Sequence, residues 1–341
     1  MNMFDMFMEK LKSEGDPDKI NPEEFERQFS KFIDSSAELL HKLFLDNAAE
    51  HLNSKAADEK EFIKNHHLIW GEGLNKLEVL IDICIDAGSN FNKERKRGEC
   101  QNEDFLLQVL VRLHAKCCAI ANEILFLLKG GYADAAQARW RALHETNVTL
   151  RFISKHGADC AERFIDHEII DSYNGMKIHK KYEHRLQAKG PTLDEVEAIT
   201  HAYKKVIKKY GRDFEHQYGW ISVYFPGNNK PGFQSMEKDV ALDHMRPYFK
   251  WASQNIHTSF KTITKALTLP EFNPEIINVG PSNYGLVDPA HSTALSLAQA
   301  TSFLLMFASD TESVVLMKVL MLLSDDIGLC FLKISNSIQE E

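Results

Sequence analysis

The chain of 341 residues has almost nothing that reads as strand: only short β-like runs such as Ile221–Phe225 interrupt its helical periods. It lacks a Walker A loop and the dinucleotide glycine fingerprint, so no nucleotide cofactor, and no cofactor of another kind, is expected. The six cysteines (Cys84, Cys100, Cys117, Cys118, Cys160 and Cys330) form no C-x-x-C pair, which leaves buried free thiols in a reducing cytoplasm as the expectation. The N-terminus MNMFDMFMEK carries Asp5 and Glu9 and has neither a basic n-region nor a small-residue cleavage site, so no signal peptide is read. The longest apolar run, Val314 to Lys333, contains Lys318, Asp325 and Asp326, charges that argue against a membrane span. A net charge of −9 excludes a generally basic nucleic-acid coat. No repeat of fixed period and no low-complexity segment is present. The expected place is the cytoplasm.

Amphipathic helix fills the space these absences leave. Asn21-Pro22-Glu23-Glu24 has the form of a helix start, with an Asn cap, Pro at the first position and acids at the positive dipole end. That helix is predicted to about residue 52. A polar, Ala-rich interval follows, then a long helix over 58–97 with candidate breaks at Gly71, Gly73 and Gly88. The segment 102–129 has one narrow wet stripe, Gln108, Arg112 and Lys116, and is the candidate central core helix. Gly130-Gly131 ends it and Ala133 begins the next helix, an antiparallel αα-hairpin. Thr192 with Glu195 forms a capping box, and Asp288-Pro289 opens the first of two apolar closing helices. Gly219–Gln234 is the longest candidate functional loop. The expected fold is all-α, a multi-helix bundle of about nine helices built around the central hairpin. Residues 1–57 form an N-terminal helical extension and 58–341 the bundle domain.

The chemistry gathers at GGYADAAQARWRALHETNVTLRFI, residues 130–153. On a helix Arg139 shares a face with Ala135, Ala136, Ala142 and Leu143, where a guanidinium must be paired or open into a polar cleft. Arg141, His144 and Glu145 share another surface, and Arg141–Glu145 has the spacing of an ordinary intrahelical pair. His167 and Asp171 are a near miss to the zinc motif H-E-x-x-H without a third ligand, so no metal is assigned. GPSNYG, residues 280–285, has one residue too many for a nucleophile elbow and reads as a turn packing Tyr284 against the helices. His257 is either a satisfied core histidine or a cleft-facing partner. Between residues 177 and 212 ten Lys or Arg face four Asp or Glu. Lys180, Lys181, Arg185, Lys204, Lys205 and Lys208, interleaved with Tyr182, Tyr203 and Tyr210, suit an RNA backbone and its bases.

Arg139 and His144 match the Arg-x4–6-His motif of HEPN-type helical ribonucleases, in which arginine and histidine from paired subunits converge on an RNA phosphate; Trp140 departs from the polar residue that often follows the arginine. The ordered set GGYADAAQARWRALHE, AERFIDHE, WASQNIHTSF and GPSNYGLVDPAHSTA resembles the uncharacterised bacterial family DUF5677 over roughly residues 65–310. That resemblance implies Arg139, Arg141, His144, Glu145, His167 and His257 as polar positions of a common cleft. Two functions stand side by side. One is a homodimeric, metal-independent HEPN-like endoribonuclease, a stress or phage-defence effector acting on RNA, with Arg139, His144, Arg141, Glu145 and His257 as its catalytic set. The other is a non-catalytic helical interaction or scaffold protein in which the same cluster is structural.

Overall fold

The computed structural model describes residues 2–17, 20–97, 105–228, 230–256, 266–269 and 278–340. It is all-α, with eleven α-helices and short 3-10 turns and no strand among the described residues. The chain divides into two compact units, Met1–Asn65 and His66–Glu341.

The first unit contains α1 (Met3–Glu14), α2 (Pro22–Asp46) and the start of α3 (Ala48–Arg97). Asn2 and Asp5 make a reciprocal capping box, and the Asn21 side chain accepts from Glu24 N–H at 2.8 Å, with Pro22 at the first position as its sequence predicts. The Phe7 ring is buried against Phe25, Phe29 and Phe32, with centroids 4.9–5.4 Å away. The Ala-rich interval expected to separate two helices is itself helical: α2 ends at Asp46, and α3 runs without the breaks predicted at its glycines. Alanine favours helix strongly enough to carry the segment.

The second unit holds the rest of α3, then α4 (Phe105–Lys129), α5 (Ala133–His156), α6 (Ala158–Leu186), α7 (Leu193–Tyr210), α8 (Phe233–Asp239), α9 (Arg246–Gln254), α10 (Val287–Leu305) and α11 (Thr311–Glu340). Packed pairs make the bundle: α4 with α5, α10 with α11, and α10 against both α4 and α5. On α4, Leu110, Ile120, Ile124 and Leu128 are fully buried, and full burial stabilises each such side chain by about 1.5–3 kcal/mol. The facing stripe of α10 is Ala290, Ala294, Ala298 and Leu297, small enough to admit the buried Trp140, whose indole N–H reaches the Ser292 carbonyl at 3.0 Å. Asp288 was the expected cap of α10; the helix instead begins at Val287, so Asp288 lies inside the first turn, where burial raises its pKa. The run Ile221–Phe225 is not β-like either. Gly219–Tyr224 is a 3-10 helix whose Trp220 and Ile221 are buried, while Ser222 and Val223 line an open cavity of about 350 Å³. The described thiols, Cys84, Cys117, Cys118, Cys160 and Cys330, are free and buried; Cys100 lies outside the described residues.

The α3 glycines are contact points rather than breaks. A Cβ on Gly73 would meet the Phe331 ring at 2.7 Å, and one on Gly88 would meet the His114 imidazole at 2.5 Å. Gly88→Ala is expected to lower stability by about 1–3 kcal/mol, because the packed imidazole has to move. Gly175→Ala, in mid-α6 with nothing within 4 Å of its added methyl, is expected to raise stability by about 0.5–1 kcal/mol. Urea titration of both variants checks the contrast.

Candidate functional site

α5 starts where Gly131, at φ +77°, reverses the chain. The N–H groups of Tyr132 and Gly131 return to the carbonyls of Leu127 and Leu128 at 2.9 and 3.0 Å, satisfying the open end of α4. α5 thereby runs back along α4, and its polar side chains face the segment of short helices and turns that follows α7.

One after another, those side chains hold that segment. Asp134 accepts from the backbone N–H groups of Leu267 and Thr268 at 2.9 and 3.1 Å and from the Thr268 hydroxyl at 2.8 Å. His144 donates from Nε2 to the Glu237 carboxylate on α8 at 3.0 Å. Lys155 and His156 both hold the Asp239 carboxylate at 2.9 Å. On α6, Asp159 accepts from the Tyr224 hydroxyl at 2.7 Å, and His167 donates to the His216 carbonyl at 2.9 Å.

The His144 contact is the most deeply buried of these. His144 is 1% exposed and Glu237 0%. The second oxygen of Glu237 accepts from Arg246, the first residue of α9, at 2.6 Å. Trp140 stacks on the imidazole, while Phe233 and Phe249 close its other sides. The guanidiniums of Arg141 and Arg246 both lie on the Phe249 ring, 5.0 and 5.3 Å from its centroid, and Arg141 also reaches Glu145 at 3.0 Å. Two arginines thus meet two carboxylates around one aromatic ring. Burial, followed by the Glu145 charge, raises the pKa of the nearby Tyr218.

Arg139 belongs to a different place. It pairs with Glu123 of α4 beside an open groove of about 460 Å³ lined by Asn122, Glu123, Phe126, Leu127 and Arg139. The structure therefore brings Arg141, His144 and Glu145 near one another and sets Arg139 apart, on its own acid. His257 lies outside the described residues. Lys180, Lys181 and Arg185 on α6 and Lys204, Lys205 and Lys208 on α7 are all exposed. These helices pack together, with Tyr173 stacked on Tyr203 at 4.0 Å. Asp171 is largely exposed, and its carboxylate is 3.8 Å from His167 Nδ1. Among the described residues no group of three or more His, Cys, Asp or Glu is placed to hold a metal ion. In GPSNYG the anchoring residue is Asn283 rather than Tyr284: its carbonyl accepts from Trp70 and its amide meets His66, whereas Tyr284 stays exposed.

Residues 107–275 match the family model of DUF5677, described as a family of unknown function. That segment belongs to DUF5677. No curated protein and no solved structure matches the chain. The DUF5677 segment contains α5 to α9 and the polar contacts that α5 and α6 make to the segment after α7; α10, α11, GPSNYG and the Asn283 contacts lie beyond it. No helix among the described residues is long and apolar enough to cross a membrane.

Glu237 and Asp134 are buried or bridging members of this polar network that the one-dimensional motifs miss. Glu237 has a weak signal, since it sits on the apolar stripe Phe233, Met236, Val240 of its short helix. Gln137, fully buried with neither amide atom bonded, has none. A further polar cluster lies between α4 and α10, beside Gly88 of α3. The His114 Nε2–H donates to Thr301 Oγ1 at 2.9 Å, because the threonine hydroxyl is itself committed to the Leu297 carbonyl. Cys118 Sγ stands 3.9 Å from Nδ1, and the two residues line a cavity of about 360 Å³. Burial holds His114 down to about 4 and pushes the Cys118 thiol up to about 12. Neither is ionised at neutral pH, so the pair lacks the thiolate that nucleophilic chemistry needs.

Two outcomes follow from this geometry. Glu237→Ala strands His144 and Arg246 without their acceptor and is expected to cost about 3–5 kcal/mol, whereas Glu123→Ala, at the surface pair with Arg139, costs about 0–1 kcal/mol; denaturant titration compares them. His114 binds its proton less readily folded than unfolded, so its stabilising contribution is complete above about pH 6.5 and is lost as pH falls toward about 4. His114→Gln is expected to flatten the acid limb of the stability curve over that window, read as the urea midpoint at successive pH values.

Proposed function

We propose that the chain is a non-catalytic helical interaction protein, in which the Arg141–His144–Glu145 cluster fastens α8 and α9 onto the bundle. The observation that carries this proposal is the enclosure of His144: at 1% exposure, with its Nε2 committed to a fully buried Glu237, it presents no atom to a substrate. A general base must come within hydrogen-bond reach of the proton it takes. Arg139, the other half of the spacing motif, answers to Glu123 on a separate face, so no phosphate position is shared between them.

A second function, a HEPN-like metal-independent endoribonuclease acting as a stress or phage-defence effector, draws on the exposed lysines of α6 and α7. Lys204, Lys205 and Lys208 follow one another along one exposed face, and a polyanion would find no carboxylate of that helix turn in its way. It requires the wall around His144 to open.

Incubating the purified chain with end-labelled RNA in chelator separates the two. The expected result is intact RNA, with His144→Ala lowering the Tm and leaving the RNA pattern unchanged. Cleavage that leaves 2′,3′-cyclic phosphate ends and disappears in folded His144→Ala protein would overturn the proposal.

A further inference from the structure

α11 buries one face and leaves the other bare. Leu320, Ile327 and Phe331 are fully buried against the bundle, while Val315, Leu322 and Leu329 are 57%, 57% and 67% exposed. The exposed three recur every seven residues, the spacing that keeps a seam of apolar side chains facing a neighbouring helix. Charges flank the seam in an order that complements itself. Glu312 and Lys318 precede Leu322, Asp325 and Lys333 follow it, and none of the four is in a salt bridge within 4 Å among the described residues, Asp325 acting only through space on His291 of α10. Asp326, the next acid, is already engaged by Lys76 at 2.9 Å.

We propose that this face is the seam of a homodimer in which two copies of α11 lie antiparallel about a two-fold axis at Leu322. In that arrangement Leu322 meets the partner's Leu322, and Val315 meets the partner's Leu329. Lys318 then lies level with the partner's Asp325, and Glu312 with the partner's Lys333, on matching sides of the seam. The midpoint of each charge pair falls within half a residue of Leu322, so one axis serves every contact. The parallel alternative sets Lys318 beside the partner's Lys318 and Asp325 beside the partner's Asp325, a like-charge juxtaposition that disfavours it. From Glu312 to Lys333 the seam spans about 32 Å at 1.5 Å per residue. A two-fold interface has to be self-complementary, and this face is.

The seam lies outside the DUF5677 segment and does not rest on the role assigned to His144; its test reads mass, not RNA. Sedimentation equilibrium of the full chain is expected to show a dimer. Leu322→Glu, an exposed position whose substitution leaves the buried face of α11 untouched, is expected to raise the dimer Kd by at least about tenfold, with the helical circular dichroism of the monomer retained. Lys318→Glu and Asp325→Lys each weaken the dimer, and the two together restore it. A wild-type monomer at every concentration, a dimer indifferent to Leu322→Glu, or a double charge exchange that fails to restore association overturns the proposal.

Discussion

Enclosing Glu237 is the constraint on which the rest of the DUF5677 segment depends. A carboxylate removed from water loses hydration that only charge and hydrogen bonds can replace, and here His144 and Arg246 supply them from two different helices. Neither α8 nor α9 is long enough to be a stable helix by its own hydrogen bonds. They are held because Glu237 has to find His144, and because Phe233 and Phe249 must close over the pair. The same device recurs along α5 and α6. Asp134, Lys155 with His156, Asp159 and His167 each catch a backbone or side-chain group of the segment between Tyr210 and Thr268. The described part of that segment is built of short helices and turns, which leave many backbone ends open, so its polar groups need partners elsewhere. The two helices provide them in register.

That arrangement explains why a polar cluster on an apolar helix resembles a catalytic site in one dimension. Arg, His and Glu are the residues chemistry needs, and they are also the residues that satisfy a buried charge. Spacing along a helix separates these uses poorly. Arg139 and His144 are five residues apart, which turns them well away from each other around the helix axis. The separation that matters lies between His144 and Glu237, 93 residues along the chain, and no local pattern records it.

The helices themselves were far more legible. Asn21-Pro22, Thr192 with Glu195, and Gly130-Gly131 act through groups within a few residues, so the sequence carries both the instruction and its target. Where the outcome turned on tertiary contact, local signals misled. Gly71, Gly73 and Gly88 read as breaks, yet the helix continues through them, and Gly73 and Gly88 let Phe331 and His114 approach the backbone. Asp288 has the chemistry of a cap and is passed over because α10 begins one residue earlier. Gly219–Tyr224 has the composition of an exposed loop and instead supplies Trp220 to the aromatic packing around Phe152.

With the acids and histidines inside α5 and α6 engaged in holding the fold, two sets of side chains without an internal task lie on outer faces. The lysines of α7 at 204, 205 and 208 form one such set, and the bare stripe of α11 another. The two differ in kind. A lysine is well solvated and costs the free chain little by remaining exposed. Leu322 and Leu329 gain nothing from water, and their neighbours α10 and α3 already have their own buried contacts with the other side of the helix. An apolar stripe flanked by unpaired charges of both signs is therefore the stronger demand on a partner, because covering it removes apolar surface and matches four charges in one step.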